Sequence, residues 1–161
     1  MKQHLLKFKA LCIICLVMII GGMNVHAANK ITDIADIVSG QKYYICATTA
    51  GTDYYLKLAS TSVSASVAGT AVTNKTTANV FIFEGRGNTW NIKIDGTNFY
   101  LSLKGEKDNG KVQVVKTATN FTLSNVSNLI QIAKGSFSLQ KNNSGNRFGS
   151  YGISTNQTKV C

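Results

Sequence analysis

Three adjacent aromatic pairs are the residues of this chain best suited to contact a ligand: Tyr43-Tyr44, Tyr54-Tyr55 and Phe99-Tyr100. A tyrosine ring can stack on a sugar ring while its hydroxyl stays in water. Since neighbouring residues of a strand point to opposite faces, one member of each pair should enter the core. We predict that Tyr44, Tyr55 and Tyr100 are the exposed members and candidate ligand-binding residues.

A second candidate ligand-binding set lies in an asparagine-rich segment and consists of Asn142, Asn143, Asn146 and Arg147. A side-chain amide can both donate and accept hydrogen bonds, which suits the hydroxyl groups of a sugar. The segment is therefore predicted to be a loop that adds polar contacts to the tyrosines.

Glycoside hydrolysis is the enzymatic alternative, because it needs only two carboxyl groups that face each other across the sugar bond. Glu106 and Asp108 are two residues apart, but lysines surround them, which indicates a solvated turn. Asp53 and Asp95 neighbour glycines and are predicted to stabilise turns. We therefore predict a protein without catalytic residues, and a carboxylate-dependent hydrolase is the weaker alternative.

Both histidines, His4 and His26, fall within the first 27 residues. Ser-His-Asp and Cys-His nucleophiles and histidine metal sites each need an imidazole. These schemes are excluded for residues 28–161, for which we expect neither a metal nor a cofactor.

Residues 1–27 have the composition of a secretory signal peptide. They combine a basic start, a short apolar stretch from Ala10 to Gly22, and a small-residue cleavage site that ends at Ala27. The apolar stretch is shorter than the ~20 residues of a membrane span. We predict cleavage after Ala27 and one domain of residues 28–161 that is secreted or held in the periplasm or at the cell surface. An uncleaved anchor is the alternative.

The charge of residues 28–161 favours polyanionic partners. This part keeps fourteen of the 17 Lys and Arg residues and all 7 Asp and Glu residues, an excess of seven positive charges. A bacterial envelope glycan or lipopolysaccharide is the predicted partner, and an anionic membrane surface is a further candidate. Nucleic acid fits the charge but suits an exported protein less well. Because the lysines are spread along the chain, a merely solubilising surface is the alternative.

Arg86 is a candidate processing site because it lies between Gly85 and Gly87. Proteolysis needs exposed, deformable backbone, and the glycines predict such a loop between Phe83 and Trp90. An Arg-specific protease is therefore a further candidate partner. An ordinary flexible loop is the alternative.

Two cysteines lie beyond the predicted leader, Cys46 and Cys161. In an exported protein an even number of cysteines suggests a disulfide. A buried free thiol and an intermolecular bridge are the alternatives.

A repeat of about forty residues organises the segments that must hold these side chains. Phe81, Phe83, Trp90 and Ile92 return as Phe121, Leu123, Ile130 and Ile132. Periods of this size indicate repeated supersecondary units. Short runs rich in Val, Ile, Tyr and Phe alternate with Gly, Asn, Asp and Ser, which predicts an all-β protein.

Each of three units resolves into four predicted strands, which makes twelve. The predicted ranges are, in chain order, 43–47, 54–58, 71–73, 80–83, 90–94, 99–103, 112–115, 121–123, 129–133, 137–140, 151–153 and 159–161. A single helical turn is predicted within residues 33–38.

The pattern resembles a β-trefoil, which is built from three four-stranded repeats of about forty residues, and the resemblance covers residues 41–161. The Tyr-Tyr-Ile, Phe-Tyr-Leu and Arg-Phe-Gly-Ser-Tyr phrases are also similar to small secreted β-domains of bacterial surface proteins. Ricin-type carbohydrate-binding trefoils carry a Gln-x-Trp signature in each repeat. This chain has none, since its one tryptophan, Trp90, follows Asn88-Thr89. No sugar-binding residue is therefore carried over from that family.

These observations predict a secreted, lectin-like binding protein without catalytic activity that recognises a polar or anionic glycan on a cell envelope. The main alternative is a bacteriocin-like antibacterial toxin that acts on the envelope of competing Gram-negative bacteria. In that case cleavage at Arg86 would activate the protein.

Overall fold

The computed structural model describes residues 30–154 and the backbone of residues 158 and 159. This part of the chain forms thirteen strands and two short 3-10 turns, at Ile34–Asp36 and Lys75–Thr77. The predicted all-β class is therefore confirmed. No helix among the described residues has the length and apolar character needed to cross a membrane. The predicted signal peptide (residues 1–27), its cleavage site after Ala27, and Cys161 all lie outside the described residues.

The strands pair in an antiparallel manner throughout. They are β1 (Lys42–Tyr43), β2 (Cys46–Thr49), β3 (Thr52–Leu58), β4 (Ser64–Val72), β5 (Phe81–Arg86), β6 (Thr89–Ile94), β7 (Tyr100–Ser102), β8 (Lys111–Val115), β9 (Phe121–Val126), β10 (Leu129–Lys134), β11 (Phe137–Lys141), β12 (Arg147–Gly152) and β13 (Thr158–Lys159).

The structure has one strand more than predicted because the first predicted strand is divided. β1 pairs with β5, whereas β2 pairs with β3. The chain changes partner at Tyr44 and Ile45, which belong to neither strand. The strand predicted at residues 71–73 is instead the end of the longer β4.

The residues of the sequence repeat form two similar hairpins. In β5–β6, Phe83 lies opposite Ile92, and in β9–β10, Leu123 lies opposite Ile132. The two hairpins join because β6 also pairs with β9. The forty-residue period thus corresponds to a repeated hairpin with the same inward residues.

Three further hairpins, β3–β4, β7–β8 and β11–β12, meet along β4. β8 pairs with the first part of β4 and β12 with the second part. Near this meeting point, an ideal Cβ on Gly149 would lie 2.5 Å from both the Asp108 carbonyl oxygen and the Gly110 nitrogen. No side chain fits there, so the hairpins can meet only with glycine at this position.

Alternate residues of the strands fill one hydrophobic core. Trp90 is 3% exposed, and the partly buried Tyr43, Tyr54 and Phe99 pack against the same core. Full burial of a large apolar side chain contributes about 1.5–3 kcal/mol. The predicted inward members of the aromatic pairs are thus confirmed. Three phenylalanines are among the largest fully buried side chains: Phe81, Phe121 and Phe148.

The segment before β1 packs across two hairpin ends. The Ile34 N–H donates to Asn125 Oδ1, at 2.9 Å, and the Asn125 amide donates to the Asp33 carboxylate, at 2.9 Å. The Gly85 N–H donates to Ser39 Oγ, at 3.0 Å. Isoleucines at a spacing of three residues pack against the core from this segment: Ile31, Ile34 and Ile37.

Gly85→Ala is expected to destabilise the protein by at least about 3 kcal/mol. The added Cβ would overlap the Thr89 carbonyl oxygen and lie 2.8 Å from Trp90 Cα, so the β5–β6 hairpin would have to open. Urea unfolding followed by Trp90 fluorescence measures the loss. Gly87→Ala is the matched control, because its Cβ meets open space and only the positive φ costs about 1 kcal/mol. Equal losses for the two variants would contradict this account.

A disulfide between Cys46 and Cys161 stays a prediction, and the fold supports a direct test. Cys46 is buried in β2, and β13, which ends two residues before Cys161, lies close to β2. We expect the mass of the purified, oxidised protein (residues 28–161) to increase on reduction. Cys161→Ser should lower the free energy of unfolding by about 2–4 kcal/mol. Two reactive thiols in the unfolded, unreduced protein would rule the bridge out.

Candidate functional site

Two of the three candidate tyrosines lie together. Tyr44 precedes β2, and Tyr55 lies in β3 opposite Cys46. Their rings meet edge to face, with centroids 5.9 Å apart and an interplanar angle of 72°. Both side chains are only partly buried. The pair therefore presents two aromatic rings on one surface.

The hydroxyl of Tyr55 is held in its protonated form. Burial raises its pKa above the ordinary value of 10.0, and the negative charge of Asp53 raises it further, while Lys30 opposes the shift. A protonated phenol can both donate and accept a hydrogen bond. Tyr55 can therefore contact a polar ligand at its edge as well as stack on it.

Two cations share the surface of Tyr55. Lys57 of β3 and Arg147 of β12 both lie opposite Thr70 of β4, and Tyr55 lies opposite Val72. Residues directly opposite each other point to the same face of a sheet, and Thr70 is exposed. These five residues, Tyr55, Lys57, Thr70, Val72 and Arg147, are named the β4 face.

Lys57 was not among the candidate residues, although a signal for it exists. It follows Tyr55 by two residues within a strand, and that spacing places both on one face. Thr70, which lies between Lys57 and Arg147, has no comparable signal. Thr70 lies beside both cations only because β3 and β12 both pair with β4 at this residue.

Tyr100 lies apart from the β4 face. It belongs to β7, opposite Lys93 and Val115. β8, which carries Val115, pairs with the first part of β4, whereas Tyr55 lies opposite Val72 at the other end of that strand. The structure therefore places Tyr44 against Tyr55 and Tyr55 on the same face as Arg147, whereas Tyr100 lies elsewhere.

The asparagine-rich segment is the loop between β11 and β12, and its members differ in burial. Asn142 is 8% exposed, and its Oδ1 accepts hydrogen bonds from the Ser144 N–H and hydroxyl, both at 2.9 Å. Its amide donates to the Tyr151 hydroxyl at 3.3 Å. Asn142 thus holds the loop in shape, while Asn143 and Asn146 are exposed beside Arg147.

A buried lysine lies beneath the same loop. Lys141 is 2% exposed, and its Nζ donates to the carbonyl oxygens of Asn142, at 2.9 Å, and Gly145, at 3.4 Å. The Nζ also lies 4.3 Å from the centroid of the Tyr54 ring. Burial lowers the pKa of this ammonium group. Loop carbonyls and an aromatic face thus hold the cation and tie the loop to β3.

Arg86 is exposed but does not lie in a long loop. It pairs with Thr89 at the end of β5, so the predicted loop between Phe83 and Trp90 is only a two-residue turn. The Trp90 indole N–H donates to the Gly87 carbonyl at 2.6 Å and closes the turn. Cleavage at Arg86 stays a prediction, and it requires the hairpin to open first, because proteases act on deformable backbone.

A shallow, open depression of about 360 Å³ lies beside this turn. Ile34, Ile37 and Trp90 contribute to its walls, and Arg86 is the one ionisable residue among its lining. Ligand pockets usually combine an apolar lining with several convergent polar groups. With a single ionisable residue in its lining, the depression lacks this combination.

Three carboxylates of the described residues form ion pairs with lysines. Ion pairs join Asp53 to Lys30 at 2.6 Å, Asp95 to Lys42 at 2.9 Å and Glu106 to Lys104 at 2.7 Å. Within residues 30–154 no group of three or more Asp, Glu, Cys or His side chains could hold a metal ion.

The pKa directions of two carboxylates do not suit a general acid, which needs a raised pKa. A hydrogen bond from the Ala35 N–H, with a second from Asn125, lowers the pKa of Asp33. Burial raises the pKa of Asp53, but hydrogen bonds from Lys30 and Thr48 and the charge of Lys30 outweigh it and lower the pKa.

No protein-family model and no curated protein sequence matches the chain.

Asp53→Asn is expected to lower the free energy of unfolding at pH 7 by less than about 1 kcal/mol, because the lost ion pair is partly exposed. The pKa of Asp53 is below 3.8 in the folded protein, so its stabilisation is present above that pH and is lost as the pH falls through the folded value. Urea unfolding between pH 7 and pH 2 should show a difference from wild type that shrinks on acidification. Lys30→Gln should likewise lower the free energy of unfolding at pH 7, with a difference from wild type that shrinks on acidification. A difference that grows in acid would contradict the assignment.

Proposed function

We propose that the protein is a secreted, non-catalytic binding protein that recognises a polar or anionic glycan on a cell envelope. The observation that carries the proposal is the β4 face, where the Tyr44–Tyr55 pair adjoins the cations Lys57 and Arg147. Two partly buried aromatic rings and two exposed cations lie on one surface, and an acidic sugar can use both kinds of group.

Each chemical feature of an acidic glycan has a matching group on this surface. The C–H faces of a sugar can pack on Tyr55, and its hydroxyls can bond to the phenol and to Thr70. Acidic substituents can pair with Lys57 and Arg147. None of the ion pairs among the described residues uses either cation, so both can pair with a ligand.

We further propose that the fold is a β-trefoil, as the sequence repeat suggests. Three observations support it: β1, β5, β6, β9 and β10 pair in succession, β13 lies close to both β10 and β2, and three hairpins meet along β4. A six-stranded barrel with three hairpins at one end has this connectivity.

An envelope glycan or lipopolysaccharide is the proposed partner, with an anionic membrane surface as a further one. A bacteriocin-like activity after cleavage at Arg86 remains the alternative. The paired hairpin around Arg86 does not favour it, because an Arg-specific protease would have to act on an opened form.

Tyr55→Ala is expected to weaken binding to immobilised envelope polysaccharide by up to about tenfold. An aromatic contact contributes about 0.5–1.5 kcal/mol, and about 1.4 kcal/mol corresponds to a factor of ten. Biolayer interferometry against lipopolysaccharide and capsular polysaccharides measures the change. Tyr55→Phe keeps the ring and should retain most of the affinity.

Tyr100→Ala is the matched control for this measurement, since it removes the same side chain from a strand away from the β4 face. Its affinity should equal that of wild type. If Tyr100→Ala loses binding and Tyr55→Ala does not, the β4 face is not the site. If the wild-type protein binds no glycan and no intact envelope at low salt, the proposed function is wrong.

A further inference from the structure

A third cation lies beside Lys57 and Arg147. Lys111 begins β8 opposite Ala68 of β4, two residues from Thr70. Ala68 and Thr70 point to the same face, because strand residues alternate, and both are exposed. With strands about 4.8 Å apart and a rise of about 3.3 Å per residue, the three Cα atoms lie within about 12 Å. Lys57, Lys111 and Arg147 are named the basic junction.

The charges of the basic junction have no acidic partner among the described residues. All three side chains are exposed, and the ion pairs of the described chain use other lysines. Asp108 lies in the adjoining loop and interacts electrostatically with Lys104. Three like charges on neighbouring strands repel one another, and a bound anion would relieve this repulsion.

Two glycines set the position of the Arg147 side chain. An ideal Cβ on Gly110 would lie 2.7 Å from Arg147 Cδ, so the aliphatic stem lies directly on Gly110. An ideal Cβ on Gly145 would lie 3.3 Å from Arg147 Nε. The guanidinium group is therefore placed next to Gly145, and within the described chain it makes no hydrogen bond.

We propose that the basic junction binds a phosphate monoester carried by the glycan. This inference rests on the proposed function and names the chemical group that the site takes. A phosphate monoester has a charge of about −1.5 to −2 at pH 7 and three strong acceptor oxygens. The arginine fork can bind two of these oxygens, and the lysines act as mobile point charges. Sulfate esters and carboxylates carry a single charge and match three cations less well.

NMR titration tests which anionic group the site prefers. The ¹⁵N-labelled protein is titrated at low salt with glucose 6-phosphate, glucose 6-sulfate and glucuronate, and the changes in amide chemical shift are followed. We expect glucose 6-phosphate to bind at least about threefold more tightly than the other two. The largest shifts should fall around residues 57, 111 and 147. Equal affinities for all three sugars would overturn the phosphate assignment.

Acidification provides a second test of the same assignment. The second phosphate proton has a pKa of about 6, whereas a sulfate ester stays ionised. Lysine and arginine side chains do not titrate between about pH 5 and 7, and no histidine follows residue 27. Binding of glucose 6-phosphate should weaken over this range while binding of glucose 6-sulfate does not. Parallel behaviour of the two esters would contradict the proposal.

Two triple variants that remove the same number of positive charges distinguish binding at the basic junction from a general effect of net charge. Lys57→Gln, Lys111→Gln and Arg147→Gln together should weaken binding of glucose 6-phosphate by at least about tenfold. The control carries Lys75→Gln, Arg86→Gln and Lys116→Gln, which remove the same number of charges elsewhere. We expect it to lose less than about twofold. Equal losses of affinity in the two triple variants would show that only the net charge matters and would contradict a binding site at the basic junction.

Gly110→Ala tests the placement of Arg147 without changing any charge. Its Cβ would displace the arginine stem, and we expect about a threefold loss of affinity for glucose 6-phosphate. Gly96→Ala is the matched control, because φ is +72° there and +77° at Gly110, but its Cβ meets open space. Equal affinities of Gly110→Ala and Gly96→Ala for glucose 6-phosphate would show that the placement of the Arg147 side chain does not contribute to binding.

The outcomes for this site and for the proposed function are distinguishable. If wild type binds envelope polysaccharide through Tyr55 but ignores glucose 6-phosphate, the phosphate site is wrong and the function stands. If it binds neither envelope nor any sugar, both are wrong. If the basic junction instead holds a single-stranded oligonucleotide more tightly than phosphorylated glycan, the glycan assignment is replaced.

Discussion

Along β4 the main chains of three hairpins approach so closely that no side chain fits between them. Gly149 faces the main chain of Asp108 and Gly110, and an ideal Cβ on Gly69 would lie 2.8 Å from the Phe148 carbonyl oxygen. Because β3, β8 and β12 all pair with β4, these contacts decide which outward side chains become neighbours. The β4 face and the basic junction both follow from this approach of backbones.

The loop between β11 and β12, which precedes Arg147, is anchored by the buried ammonium group of Lys141 rather than by apolar packing. Lys141 is buried against the Tyr54 ring and donates to two loop carbonyls. A buried ammonium group is costly, as its lowered pKa indicates, and it is stable only where oxygen acceptors and an aromatic face surround it. The same residue thus connects the core to the loop that precedes β12.

Much of the fold could be predicted because each strand carries a local signal. The alternation of Phe81 and Phe83, and of Trp90 and Ile92, predicts strands with one buried face, and both pairs are buried. The division between β1 and β2 could not be predicted, because the chain there changes its pairing partner rather than its pattern. β4 also extends further than predicted, since its small, uncharged residues give little contrast between its two faces.

For the site, the residues alone identified Tyr44, Tyr55 and Arg147 as candidates, but not Lys57, Thr70 or Lys111. Tyr54 packs against the core as the two-residue period of a strand predicts, whereas Tyr55, predicted to be exposed, is partly buried. The meeting of Lys57, Lys111 and Arg147, which are far apart in the chain, could not be predicted. Strand order depends on long-range packing and on close glycine contacts, and neither leaves a local pattern in the residues that become neighbours.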